Sequence, residues 1–233
     1  MCTSSRASPL TTATSKDFGN PFLHPPCTAV HTLSAIKKAH QKCSSLDYSA
    51  LLKVAKTLQL NRIVKPFWVD WPLSCPFHFL HIKPLHHFHR FSWDHDVKWC
   101  IAVVTPLEID FQFSLVQPTV GYHGFNDGIS KLKQVTGCDH HTIQRYIIGV
   151  VAGAISCRFL IVIQVLLDFH YLAQAPVFSD ESLEKLTEAL QLFHENKDAI
   201  VQASSRMDSW EILKLELLQS VVPNICHSGP VMQ

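Results

Sequence analysis

Four histidines and two aspartates crowd into the stretch Leu85 to Cys100, LHHFHRFSWDHDVKWC. Imidazole and carboxylate groups at close spacing are the ligand types of zinc and non-haem iron centres. The spacing supports only part of that chemistry. His86 and His89 lie three apart and share a helix face, but His95 falls on the apolar stripe Leu85, Phe88, Ser92, His95, Trp99, Ala102. Intervals of three, four, three, four and three trace one face of an α-helix, so His95 reads as a packed core histidine. Arg90 and Asp94, four apart, read as a surface ion pair. Cys138, Asp139, His140 and His141 form a second cluster, yet four consecutive side chains on a helix fan out and cannot converge on one ion. Neither cluster is expected to hold a metal. The glycines of VGYHGFNDG follow neither GxGxxG nor GxxxxGK[ST], and no GxSxG elbow occurs; no nucleotide cofactor and no triad hydrolase is implied.

Basic side chains offer a different chemistry, that of phosphate contact. Residues 31 to 65 carry Lys37, Lys38, Lys42, Lys53, Lys56, Arg62 and Lys65 against the single acid Asp47. Residues 180 to 216 carry nine acids against Lys185, Lys197, Arg206 and Lys214. The net charge of +1 therefore hides a polarised chain whose basic end is the candidate for DNA contact.

The elements that must position these groups are mostly helices. Tyr48, Leu51, Leu52, Ala55 and Leu58 recur at helical spacing with Lys53 and Lys56 off the stripe, which predicts an amphipathic helix with a basic face. The four prolines between Lys65 and Pro84 predict an irregular connector. The apolar run Ile147 to Leu167 is long enough to cross a bilayer. However, Arg158 at its centre and Gly149 and Gly153 favour two buried helices meeting near Ser156. Ser179 is a predicted N-cap, followed by the stripe Leu183, Leu186, Leu190, Phe193. A last helix is expected from about Trp210 to Val222, ended by Pro223.

Composition bounds the whole. With 47% hydrophobic residues, 14 Phe and 5 Trp in 233 residues, the chain is too apolar to be disordered. Its eight cysteines include no CxxC pair and predict reduced thiols rather than a disulfide scaffold. The Ser/Thr-rich start has no apolar run of the secretory kind, so a nuclear or cytoplasmic location is expected, with no membrane partner. Residues 1–29 read as a flexible tail and 30–233 as one folded region.

Four stretches together resemble Plavaka transposases, a CACTA-like fungal group: PFWVDWPL from Pro66, LHHFHRFSWDHDVKWC from Leu85, KLKQVTGCDHHTIQRY from Lys131, and KLELLQSVVP from Lys214. Together with EIDFQFSL from Glu108, DFHYLAQAP from Asp168 and FHENKDAI from Phe193, the resemblance spans roughly 200 of the 233 residues. It implies a ribonuclease-H-like catalytic region in which three carboxylates hold two Mg2+ ions. The fold expected here is mainly α, the helical part of a truncated region of that kind with little sheet. The family's Asp-x-x-His position reads Lys83, Pro84, Leu85, His86 here. An ammonium about 4 Å from a divalent ion is repelled by roughly 8 kcal/mol at an effective dielectric of about 20. The family's other acids belong to segments upstream of this stretch and beyond Gln233.

The expectation is therefore a relic or domesticated fragment of a cut-and-paste transposase, with no intact catalytic acid, no Mg2+ bound and no strand cleavage. The alternative is a DNA-binding or protein-interaction module that pairs with full-length transposase.

Overall fold

The computed structural model describes residues 6–43, 47–61, 65–71, 74–80, 82–117, 119–121, 123–203, 206 and 209–230. It is mainly helical, as expected, and among the described residues the only β pairing is two isolated bridges. The chain divides into two compact units, Met1–Ile82 with Trp210–Gly229, and Lys83–Ser209 with Pro230–Gln233.

In the first unit, the sequence reading of residues 1–29 as a flexible tail meets a different arrangement over residues 6–27. Bridges pair Ala7 with Thr14 and Thr11 with Pro26, and Leu10, Ala13 and Phe18 are buried. The Ser/Thr content that suggested flexibility instead satisfies turn backbone. Ser8 Oγ accepts from the Leu10 and Thr11 amides. Asp17 accepts from the amide and hydroxyl of Thr14, and these bonds hold its carboxyl below the usual range. Thr11 Oγ1 donates to buried Glu216 from the other end of the chain.

Helices Ala29–Gln41 and Tyr48–Thr57 follow, capped by Thr28, which accepts from the His31 amide, and by Asp47, which accepts from the Ala50 amide. They pack through Ile36, Ala39, Ala55 and Leu60, with Ala35, Leu51, Val54 and Leu58 alongside. Among the described residues of the connector expected between Lys65 and Pro84, the only helix is the short Pro76–Phe79. At the far end, the single helix expected from Trp210 is two, Leu213–Leu218 and Val221–Ser228. Pro223 does not end a helix but lies in the first turn of the second. A first-turn amide has no intrahelical partner, so its loss there costs nothing.

In the second unit, residues 85–104 form one continuous helix in four pieces: π turns at Leu85–His89 and Trp93–Val97, α turns at Arg90–Ser92 and Lys98–Val104. Its buried face repeats every four residues. Phe88, Ser92, Asp96 and Cys100 have no exposed surface, and Val104 follows at 8%. In a regular α-helix a step of four overshoots a turn by about 40°, which carries residue 104 roughly 160° round from residue 88. The wider π turns absorb that drift.

Pro106–Leu115 adds a helix that periodicity did not announce, because Leu107, Ile109, Phe111, Phe113 and Leu115 alternate with polar residues. Ile109 and Phe113 are buried, whereas Leu107, Phe111 and Leu115 are exposed. Asp110, on the same helix, ties down the following loop by accepting from the Ile129 and Ser130 amides and the Ser130 hydroxyl. Gly128, at φ +77°, lets that loop close, since a Cβ there would collide with the Asp110 side chain.

Gly137–Val151 and Cys157–Leu172 are separate helices broken at residues 152–156, with Ser156 as N-cap of the second. Among the described residues no helix is long and apolar enough to cross a membrane. Asp180–Asn196 starts at the Ser179 cap as expected, buries Leu186, Leu190 and Phe193, and packs along Cys157–Leu172.

Candidate functional site

Lys83 and His86 stand at the start of helix 85–104, and both are exposed. The Lys83 main chain is the helix entry: its carbonyl accepts from the His86 and His87 amides, and its amide donates to His87 Nδ1 at 3.0 Å. Among the described residues no three His, Cys, Asp or Glu side chains are grouped to hold an ion. Lys83 presents an exposed ammonium, which would repel a divalent metal ion brought close to it.

The histidine-rich stretch instead assembles a buried polar cluster. Asp96, expected on a titratable outer face, is fully buried, as is His89 at 5% exposure, because the π turns rotate the face inward. His170, on helix 157–172, is 1% exposed, and its Nδ1 lies 4.0 Å from Asp96 Oδ2. Neither carboxylate oxygen of Asp96, neither ring nitrogen of His170, nor the Ser92 hydroxyl has a hydrogen-bond partner. Burial is the largest influence on the Asp96 carboxyl and pushes it well above the carboxylate range. Burial, with a smaller contribution from His89, lowers His170 to about 3. The pair is therefore a neutral acid beside a neutral imidazole, not an ion pair.

Aromatic rings seal this pair. The His170 ring stacks on Phe88 at 5.5 Å and meets Phe91 edge-on at 5.4 Å. His95, expected as a packed core histidine, is half-buried between Phe91 and Trp99. No substrate reaches groups so enclosed, so their chemistry bears on stability rather than catalysis. His89 Nδ1 bonds Gln144 Oε1 at 3.1 Å, and burial lowers its pKa. His170 lies far along the sequence in DFHYLAQAP and gave no signal; the four-residue rhythm of Ser92, Asp96 and Cys100 was the only clue to Asp96.

The second cluster disperses as its spacing predicted. Cys138 and His141 are exposed, His140 is buried near Trp93, and Asp139 closes a capping box with Thr136. Asp139 also meets His123 at 2.7 Å. Although burial raises its carboxyl, the His123 and Thr136 bonds bring it below the usual range. Arg90 and Asp94 form the expected surface pair at 2.9 Å, with Lys98 joining Asp94 at 3.7 Å.

The basic residues gather better than the acids. Lys37, Lys38 and Lys42 project from helix 29–41 and its end, and Lys53 and Lys56 from helix 48–57. All five are exposed and lie off the packed residues Ile36, Ala39, Ala55 and Leu60. The one acid in that span, Asp47, is turned to the Ala50 amide. Lys65 is engaged by Asp70 at 2.8 Å, which removes it from an uncompensated patch. Arg62 lies outside the described residues.

The family model for Plavaka transposase matches residues 1–100. That match bears out the resemblance at PFWVDWPL and LHHFHRFSWDHDVKWC, and it supports a transposase-derived protein. The similar stretches at 131–146 and 214–223 lie beyond it. No curated protein and no solved structure matches the chain.

Proposed function

We propose that this chain is a transposase-derived fragment that contacts DNA through the helix pair 29–41 and 48–57 and does not cleave it. Its helices are read as the helical part of a ribonuclease-H-like catalytic region. The observation that carries DNA contact is the exposure of five lysines on one capped helix pair within the matched residues. Lysines held this way neutralise phosphates without reading bases, so binding is sequence-independent.

Four phosphate contacts give a log-log salt slope of about −3.6. Lys53→Glu with Lys56→Glu makes that slope shallower by about two contacts and leaves the helical circular dichroism signal unchanged, since neither residue is in the packed face. Fluorescence anisotropy on unrelated duplexes at several salt concentrations reads this. An affinity indifferent to salt, or unchanged in the double variant, would leave pairing with a full-length transposase as the better reading.

The absence of cleavage rests on Lys83 at the acid position. Supercoiled plasmid incubated with the protein and Mg2+ or Mn2+ is expected to stay supercoiled, for wild type and for Lys83→Glu alike. Nicking that EDTA abolishes would overturn this.

A further inference from the structure

The first unit carries a half-open pocket of about 280 Å³ that the DNA-contact reading does not use. Three segments wall it: the bridged turns at 7–14, the start of helix 29–41, and the turn at 57–60. Its polar walls carry the hydroxyls of Ser8, Thr11, Thr32 and Thr57 and the Gln59 amide, and no Lys, Arg, Asp or Glu lines it. Two wall residues are of another kind. Cys27 Sγ lies 3.8 Å from His31 Nδ1 and 3.4 Å from Thr32 Oγ1. Cys27 is 5% exposed, whereas the His31 ring reaches solvent. A thiol, a base that exchanges protons with water and a hydroxyl thus meet at the N-terminus of a 13-residue helix.

We propose that Cys27 and His31 form a nucleophilic site, and that the cavity admits a small neutral electrophile of the α,β-unsaturated carbonyl class. His31 takes the Cys27 proton as the sulfur attacks. The sulfur adds to the β-carbon, forming the C–S bond. The π electrons of the C=C bond move toward the carbonyl as an enolate. The imidazolium returns its proton to the α-carbon, which leaves a thioether at Cys27 and a neutral His31. No oxidant or leaving group is required. Walls without charge disfavour an anionic electrophile, which would lose its hydration with no counter-charge to meet it.

The chain contains its own controls, because Cys138, Cys157 and Cys226 are exposed thiols. The full-length protein is treated with N-ethylmaleimide at mildly acidic pH, and alkylation of each cysteine is followed by peptide mass spectrometry. Cys27 is expected to react about tenfold or more faster than the exposed three, and His31→Gln is expected to remove that advantage and leave their rates unchanged. A carboxylate-bearing maleimide should lose rate at Cys27 relative to the exposed thiols by about tenfold. Cys27 reacting no faster than the exposed cysteines, or equally fast in His31→Gln, overturns the proposal. If His31→Gln loses helical signal, the comparison of the two maleimides on the wild-type chain decides: an equal ratio at all four cysteines overturns the site, and selective loss at Cys27 supports it.

Discussion

Asp96→Leu is expected to make the protein more stable, by about 1 to 4 kcal/mol at neutral pH. Asp96 has no exposed surface, neither oxygen is hydrogen-bonded, and His170 Nδ1 lies 4.0 Å from its Oδ2. A buried polar group left unpaired costs about 1 to 3 kcal/mol, and leucine replaces the carboxyl with apolar atoms of similar reach. His170→Phe should act in the same direction, because the ring already packs on Phe88 and Phe91 and its two nitrogens gain nothing. The double variant distinguishes a neutral pair from an ionic one. Two neutral, unbonded groups give a small coupling, and both single variants stabilise. In a true buried ion pair, removing either partner strands the other charge and costs about 3 to 5 kcal/mol. Urea unfolding followed by tryptophan fluorescence reads the cycle. Destabilisation of that size in both single variants, relieved in the double, would sink the neutral-pair assignment.

The same stretch shows where sequence reading succeeds and where it fails. Ser179 with the stripe through Phe193, and the break before Ser156, were legible because caps and helix breakers act within a few residues. Burial of Asp96 was not, because the stripe was read at 3.6 residues per turn while two π turns shift the inward face to a four-residue rhythm. Ala102, counted on the buried stripe, is accordingly exposed. Helix 106–115 escaped for a related reason, since its apolar residues alternate and only Ile109 and Phe113 turn inward. The first unit failed at longer range. Ser8, Thr11 and Asp17 look like loop residues, and nothing local says that Thr11 will meet Glu216, 205 residues away. The exposure of Lys37, Lys38, Lys42, Lys53 and Lys56 away from the packed residues of the helix pair 29–41 and 48–57 followed from helical spacing. Lys65 was lost from it to Asp70, five residues on, a surface pairing that charge counting does not resolve.

Acid should unfold this protein well above the range in which ordinary carboxylates titrate. Burial lowers His170 to about 3, His194 to about 3 and His140 to about 4, and lowers His89 as well. For each, the folded state stays neutral where the unfolded chain, with an imidazole near 6.5, takes up a proton. Their stability contribution is therefore complete above pH 6.5 and is lost as pH falls from 6.5 toward 3 to 4. Each fully buried imidazole withdraws about 1.4 kcal/mol per pH unit across that window, and those nearer solvent withdraw less. Asp96 and Glu216 work with the opposite sign, because burial raises both. Their contribution is present below the unfolded carboxyl range and is lost as pH rises through their folded values. Asp17, Asp110 and Asp139 are depressed and weaken the fold only below pH 3.8. Between pH 6.5 and 4 four depressed imidazoles oppose the two raised carboxyls, and His170 is the most enclosed of the four. His170→Phe should flatten the fall in unfolding free energy by about 1.4 kcal/mol per pH unit in that window and displace the acid midpoint downward. Urea titrations at stepped pH measure the slope directly, and a variant slope equal to the wild type's would show that His170 takes up its proton without unfolding the chain.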